Sequence, residues 1–145
     1  MAELFVDTSG WYPLADRAHP DHDRTARTFR ERIDAGARIV TTNLVLAESH
    51  ALILRRLHRR AALEFLEAAR QPPNLVVFST SELESIAERD WLARFEDQTF
   101  SLTDALSFAV MAERDIRSAL ALDRYFSTAG FATVPRPELP PAKWR

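Results

Sequence analysis

The sequence predicts a single α/β domain over residues 1–145, built on a mostly parallel central sheet of four to five strands with helices on both faces. Three observations carry that reading. Short β-favouring apolar runs alternate along the chain with segments whose apolar residues recur every three or four positions. The runs are separated by helix-length stretches, as parallel crossovers require. Of the 145 residues, 46% are apolar, enough for a substantial core.

Glu3 to Asp7 reads as a strand ending on an acid, and Thr8 or Ser9 is placed to cap a helix through Trp11, Tyr12 and Leu14. Pro20, Asp21 and Asp23 open a second helix, whose Ala26, Phe29, Arg30 and Ile33 share a packed face before Gly36 stops it. Ile39 to Thr41 is a small strand. Asn43 is expected to cap the next helix, which carries Leu44, Ala47, Glu48, Ala51, Leu52 and Leu54 and ends among arginines. A helix from Ala61 to Ala69 stops before Pro72 and Pro73. Leu75 to Phe78 is a third strand, and Ser79 to Ser81 begin a helix through Leu83, Ile86 and Ala87 towards Leu92. Ser101 or Thr103 caps a helix from Asp104 to about Arg114 that is apolar on nearly every side and therefore interior. Ser118 to Leu122 and Ala132 to Val134 are the last two strands, joined by a short helical link from Phe126 to Gly130. From about residue 135 the prolines read as an extended tail over the surface.

Composition narrows the function. The chain has no cysteine, which excludes disulfides, thiolate zinc sites and a cysteine nucleophile, and suits a reducing cytoplasm. Glu3 and Asp7 near the start speak against a secretory signal. No run approaches the roughly 18 apolar residues of a membrane span, so a soluble cytoplasmic protein is expected. The formal net charge is −2, so any affinity for nucleic acid must come from local patches. Lys143 is the only lysine, and Arg55, Arg56, Arg59 and Arg60 gather around His58. Arginine forks suit phosphate oxygens, and the same cluster equally suits the carboxyl end of a helix.

Four acids stand in apolar company: Asp7, Glu48, Asp104 and Asp123. Glu48, four residues from both Leu44 and Leu52, is expected to share the apolar stripe of its helix. Asp104 shares a face with Phe108 and Met111, while Asp7 and Asp123 end two different strands. Ligands bind in the crevice beyond the carboxyl ends of parallel strands, so the four are placed to converge there. Two carboxylates about 4 Å apart repel by on the order of 4 kcal/mol at an effective dielectric near 20, and a divalent cation reverses that sign. All-oxygen ligation selects Mg2+ or Mn2+ rather than zinc, and such an ion activates water for phosphodiester hydrolysis. Thr8, Ser9 and Thr103 are candidates to orient water around it. Taken singly, each acid has a simpler reading: Asp7 and Asp104 as helix starts, Asp123 as a turn cap, Glu48 as the partner of an arginine.

The segments Phe5-Val6-Asp7-Thr8-Ser9, the helix of Glu48, Phe100-Ser101-Leu102-Thr103-Asp104-Ala105-Leu106-Ser107-Phe108, and Leu122-Asp123-Arg124-Tyr125-Phe126 with Ala129-Gly130-Phe131 occur in the order found in PIN domains. The chain from about Glu3 to Pro135 resembles that family, and within it the VapC-type toxin ribonucleases of toxin–antitoxin systems. The resemblance implies a three-layer α/β/α fold, Mg2+ or Mn2+ dependence and endonucleolytic cutting of RNA, with Asp7, Glu48, Asp104 and Asp123 as the catalytic and metal-binding quartet. It also implies a homodimer and a VapB-like antitoxin that lays a peptide in the active-site groove. Where many relatives carry a metal-assisting Ser or Thr before the last acid, this chain has Leu120, Ala121 and Leu122. Asp97 is an additional acid, read as solvent-exposed. The four histidines are read as solvated or structural, and Trp11 and Tyr12 either stack an RNA base or pack in the core or a dimer. A structure-specific DNA nuclease and a catalytically inactive binding module are the competing functions.

Overall fold

Leu4, Phe5 and Val6 have no exposed surface, and this apolar triplet forms the middle strand of the protein. A computed structural model describes residues 2–137. Five strands, β1 (Glu3–Val6), β2 (Arg38–Thr42), β3 (Leu75–Val77), β4 (Ser118–Leu120) and β5 (Ala132–Val134), lie in the order β3-β2-β1-β4-β5. Every neighbouring pair is parallel, with Phe5 opposite both Val40 and Ala119. A strand flanked on both sides is apolar throughout because neither face meets water.

Seven helices occur among the described residues: α1 (Thr8–Ala15), α2 (His22–Asp34), α3 (Asn43–Arg56), α4 (Arg59–Ala69), α5 (Ser81–Ala87), α6 (Leu102–Arg114) and α7 (Tyr125–Thr128). Helix α3 packs on α1 and α4, and α1 on α2, around the rings of Trp11, Phe29 and Phe65. Helices α5 and α6 pack together, and Phe108 of α6 meets Phe100, Phe126, Phe131 and Trp91. A π-helical turn, Glu88–Leu92, follows α5 and carries Trp91 into that aromatic cluster. The result is the expected three-layer α/β/α arrangement.

The carboxylate of Glu3 ties three elements at the amino edge of the sheet, accepting from Arg38 of β2 and from Arg114 at the end of α6. These two guanidinium groups, Arg114 first, hold its pKa below the ordinary carboxylate value.

Two expected caps differ: α1 is capped by the Asp7 side chain rather than by Thr8 or Ser9, and α3 by Thr42 rather than by Asn43. Helix α3 is capped by Thr42, whose hydroxyl accepts from the Val45 amide, while Asn43 instead accepts from the Ser79 amide and so fastens the segment after β3. Ser101 caps α6, and Thr103 lies within its first turn. Of the proline-rich tail, residues 138–145 lie outside the described residues. No helix among the described residues is long and apolar enough to cross a membrane.

Candidate functional site

Asp7 follows the last residue of β1 and is only 2% exposed. Its amide donates to the Leu120 carbonyl at 3.2 Å, extending the β1–β4 ladder by one rung. Its side chain caps α1, accepting from the Ser9 amide at 3.2 Å and the Ser9 hydroxyl at 2.8 Å. The Ser9 hydroxyl in turn accepts from the amides of Leu122 and Asp123 at 3.0 and 3.4 Å. One oxygen atom therefore links the ends of β1 and β4. Gly10 makes that junction possible, since a Cβ there would overlap the Leu120 carbonyl oxygen.

Asp123 lies three residues beyond β4, half-buried, and one of its oxygens accepts from the Tyr125 amide at 3.0 Å. Asp104 lies in the first turn of α6, where Ser101 and Asp104 bond reciprocally at 3.0 Å in a capping box. The three aspartates feel one another. Burial, then Asp123 and more weakly Asp104, push the Asp7 carboxyl up to about 7. Burial, then Asp123 and Glu48, also raise the Asp104 carboxyl. Strand ends and helix starts that are distant in sequence thus form one negative cluster at the carboxyl edge of the sheet.

Glu48 departs from expectation. It is exposed, because the buried face of α3 is Val45, Leu46, Ser49 and Ile53, and Leu44 and Leu52 are themselves only half-buried. Its charge nonetheless reaches Asp104. Thr8 is fixed by the buried Ser49 hydroxyl at 3.0 Å, which ties the start of α1 to α3 beside Glu48. Ser9 bridges backbone and carboxylate, and the Thr103 carbonyl accepts from Ser107. Asp97 is exposed, as read from the sequence.

The donor set can be weighed against a divalent ion. None of Asp7, Asp104, Asp123 or Glu48 has an arginine or histidine within ion-pair distance among the described residues. Each aspartate commits one oxygen to a local hydrogen bond, and its second oxygen accepts from no donor among those residues. Among the described residues, no group of three or more Asp, Glu or His side chains is placed as it stands to hold a metal ion. Mg2+ does not require one, since it keeps several waters and is held through one or two carboxylates. Uncompensated, oxygen-only and mutually repelling, the cluster fits a hydrated hard cation.

The arginines divide. Arg56 lines a groove of about 430 Å³ with Thr8, Ser9, Tyr12 and Asp123, whereas Arg60 is engaged by Glu64 at 3.1 Å on the exposed side of α4. Arg55 and Arg59 are exposed and do not line that groove. His58 caps α4 through the Ala61 amide, and His22 meets the Pro13 carbonyl at 2.7 Å, so both are structural. Trp11 is a core residue, 6% exposed, with its ring amine on the Thr41 hydroxyl at 3.4 Å. A larger apolar hollow of about 520 Å³ between α1, α2 and α4 contains none of the four acids and offers no comparable chemistry. Ser9, expected from the sequence to orient water, instead bridges Asp7 and the backbone after β4, while Gly10 as a close approach and Arg124 beside Asp123 were not singled out in the sequence.

Comparison with known proteins yields a consistent set. The PIN-domain family model matches residues 4–132. The 23S rRNA-specific endonuclease VapC20 of Mycobacterium tuberculosis is 36% identical over 135 residues, covering 93% of this chain and 99% of that protein. Ribonuclease VapC13 of Mycobacterium tuberculosis is 30% identical over 131 residues, covering 86% and 93%. The crystal structure of Mycobacterium tuberculosis VapC20, described as a sarcin-ricin loop cleaving toxin, superposes with a TM-score of 0.82 at 34% identity, covering 89% and 96%. VapBC2 from Rickettsia felis, at 10% identity and a TM-score of 0.68, shares the fold.

Proposed function

The chain belongs to the PIN-domain family, in its VapC-type branch, and on that premise we propose that it is a metal-dependent endoribonuclease toxin that hydrolyses RNA phosphodiester bonds. The observation that supports the chemistry is the convergence of Asp7, Asp104 and Asp123, where burial and the charge of Asp123 raise the carboxyls of Asp7 and Asp104 and no arginine or histidine stands within ion-pair distance among the described residues. Asp7, Asp104 and Asp123 would hold Mg2+ or Mn2+, with Glu48 at the rim of the same cluster. When bound, such an ion neutralises the carboxylates, makes water a better nucleophile and stabilises charge developing on a phosphoryl oxygen.

The chain's own contribution is placement. Ser9 holds Asp7 and the Asp123 backbone in one rigid unit, and the Ser101 capping box fixes Asp104 at the start of α6. In the net reaction water adds to phosphorus, the bond to one ribose oxygen breaks, and the leaving oxygen takes up a proton. Of the arginines at residues 55 to 60, Arg56, which lines the groove beside Asp123, supplies a cation for the substrate backbone.

The similarity to VapC20 supports a structured ribosomal RNA loop as the substrate class, which would place the protein in the cytoplasm. A toxin of this kind pairs with a VapB-like antitoxin, and we propose a homodimer as its working form. Asp7→Asn and Asp104→Asn should each lower RNA cleavage by at least about a hundredfold while leaving a cooperative melt. Cleavage of RNA but not of matched DNA in Mg2+, lost in EDTA, is the expected pattern. Full activity in both variants, or preference for DNA, would refute the proposal.

A further inference from the structure

Two arginines beside the acids have no carboxylate partner among the described residues. Arg56 ends α3, and its guanidinium lies 5.2 Å from the centroid of the Tyr12 ring. Arg124 directly follows Asp123, and its guanidinium lies 5.9 Å from the centroid of the Tyr125 ring. Both arginines are exposed. A guanidinium held over an aromatic face keeps its N–H edge available and has already surrendered some rotamer freedom.

Two grooves meet at Leu122 and Asp123, which line both. One, of about 430 Å³, has Tyr12 and Arg56 in its wall. The other, of about 180 Å³, has Arg124 and Arg24, and Arg24 is already engaged by Asp21 at 3.1 Å. Asp123 thus stands on a saddle between two recesses, each offering one guanidinium with no carboxylate on it among the described residues. The net charge of −2 supplies no general attraction for a polyanion, so local cations must bring phosphates to a negative site.

We infer that Arg56 and Arg124 grip RNA phosphates on the two sides of the bond being cut, so that the strand passes from the Tyr12 groove over Asp123 into the Arg124 groove. This rests on the ribonuclease reading and sharpens it. Of the arginine cluster near His58, Arg56 touches substrate, while Arg55 and Arg59 line neither groove and Arg60 is occupied by Glu64.

The test uses full-length protein carrying Asp104→Asn, which binds without cutting, and a labelled mixed-sequence single-stranded RNA of about twelve nucleotides followed by fluorescence anisotropy. Adding Arg56→Gln or Arg124→Gln should weaken binding about tenfold each. Each should also flatten the dependence of log K on log salt by about 0.7, the amount for one phosphate contact on a single strand. Arg59→Gln should change neither. In otherwise unsubstituted protein, Arg56→Gln and Arg124→Gln should raise KM while kcat stays within about threefold. Unchanged affinity and slope in both variants, or an equal loss with Arg59→Gln, overturns the inference. If the protein cuts RNA yet both variants bind as before, this inference alone fails; if Asp104→Asn protein shows no salt-dependent RNA binding, it falls together with the ribonuclease reading.

Discussion

Three aspartates divide their labour between two oxygens. In Asp7, Asp104 and Asp123 one oxygen fixes nearby backbone or a neighbouring hydroxyl, and the other has no donor among the described residues. The helix-start reading and the metal-ligand reading of these acids are therefore compatible, one oxygen for each. Asp7 bears the larger cost because it is nearly fully buried and faces the charge of Asp123, which lifts its carboxyl from 3.8 to about 7. A carboxyl with a raised pKa binds its proton more tightly folded than unfolded, so the cost of Asp7 to stability is absent below about pH 4 and grows until pH has climbed through about 7. The cost is on the order of 4 kcal/mol at most. Urea melts in EDTA should show it, Asp7→Asn should flatten it, and saturating Mg2+ should restore stability at pH 8 but not at pH 5. A wild-type profile flat from pH 4 to 8 would contradict this. Ser9→Ala removes the hydroxyl joining Asp7 to the Leu122 and Asp123 amides, and should cost about 1–3 kcal/mol in the same melts. Cleavage should drop further than stability alone accounts for, by about a hundredfold, because the acids lose their spacing. Normal cleavage in this variant would show that the bridge is dispensable.

At the scale of elements, the decisive contact is the crossing of α1 over the end of β4. Gly10 sits at that crossing, where the backbone carbonyl of Leu120 occupies the space a side chain needs. Gly10→Ala should destabilise the protein by about 1–3 kcal/mol, read as a lower melting temperature, and should reduce cleavage because α1 carries Ser9. An unchanged melt would mean that α1 is free to shift. All five strands and seven helices were legible from apolar runs and helical spacing, since each pattern reports burial directly. Phase within an element was less legible. Glu48 keeps helical step with Leu44 and Leu52, yet that stripe lies at the border of the buried face, and side-chain spacing alone does not say where the face ends. The cap of α3 shifted by one residue for a similar reason: Thr42 and Asn43 are both good caps, and the tertiary need for Asn43 at the Ser79 amide decided between them.

At the scale of the molecule, the order β3-β2-β1-β4-β5 has the chain build outward from β1 on one side through β2 and β3 and then cross to the other side for β4 and β5. A crevice opens beyond the carboxyl ends at such a reversal, and Asp7 and Asp123 follow the two strands that flank it. The candidate acids Asp7 and Asp123 stood out in the sequence because carboxylates are rare beside apolar strands. The site's cations were less legible: Arg56 stood out only as one of four arginines around His58, and Arg124 looks like any other exposed arginine until the grooves form. The central claim is that this crevice gathers distant carboxylates around a divalent ion. Diffraction from crystals grown with Mn2+ tests it directly, through an anomalous peak bounded by Asp7, Asp104 and Asp123. A peak there, lost in crystals of Asp7→Asn, is the predicted result; manganese bound only elsewhere, or none bound in protein that still cuts RNA, would contradict the account.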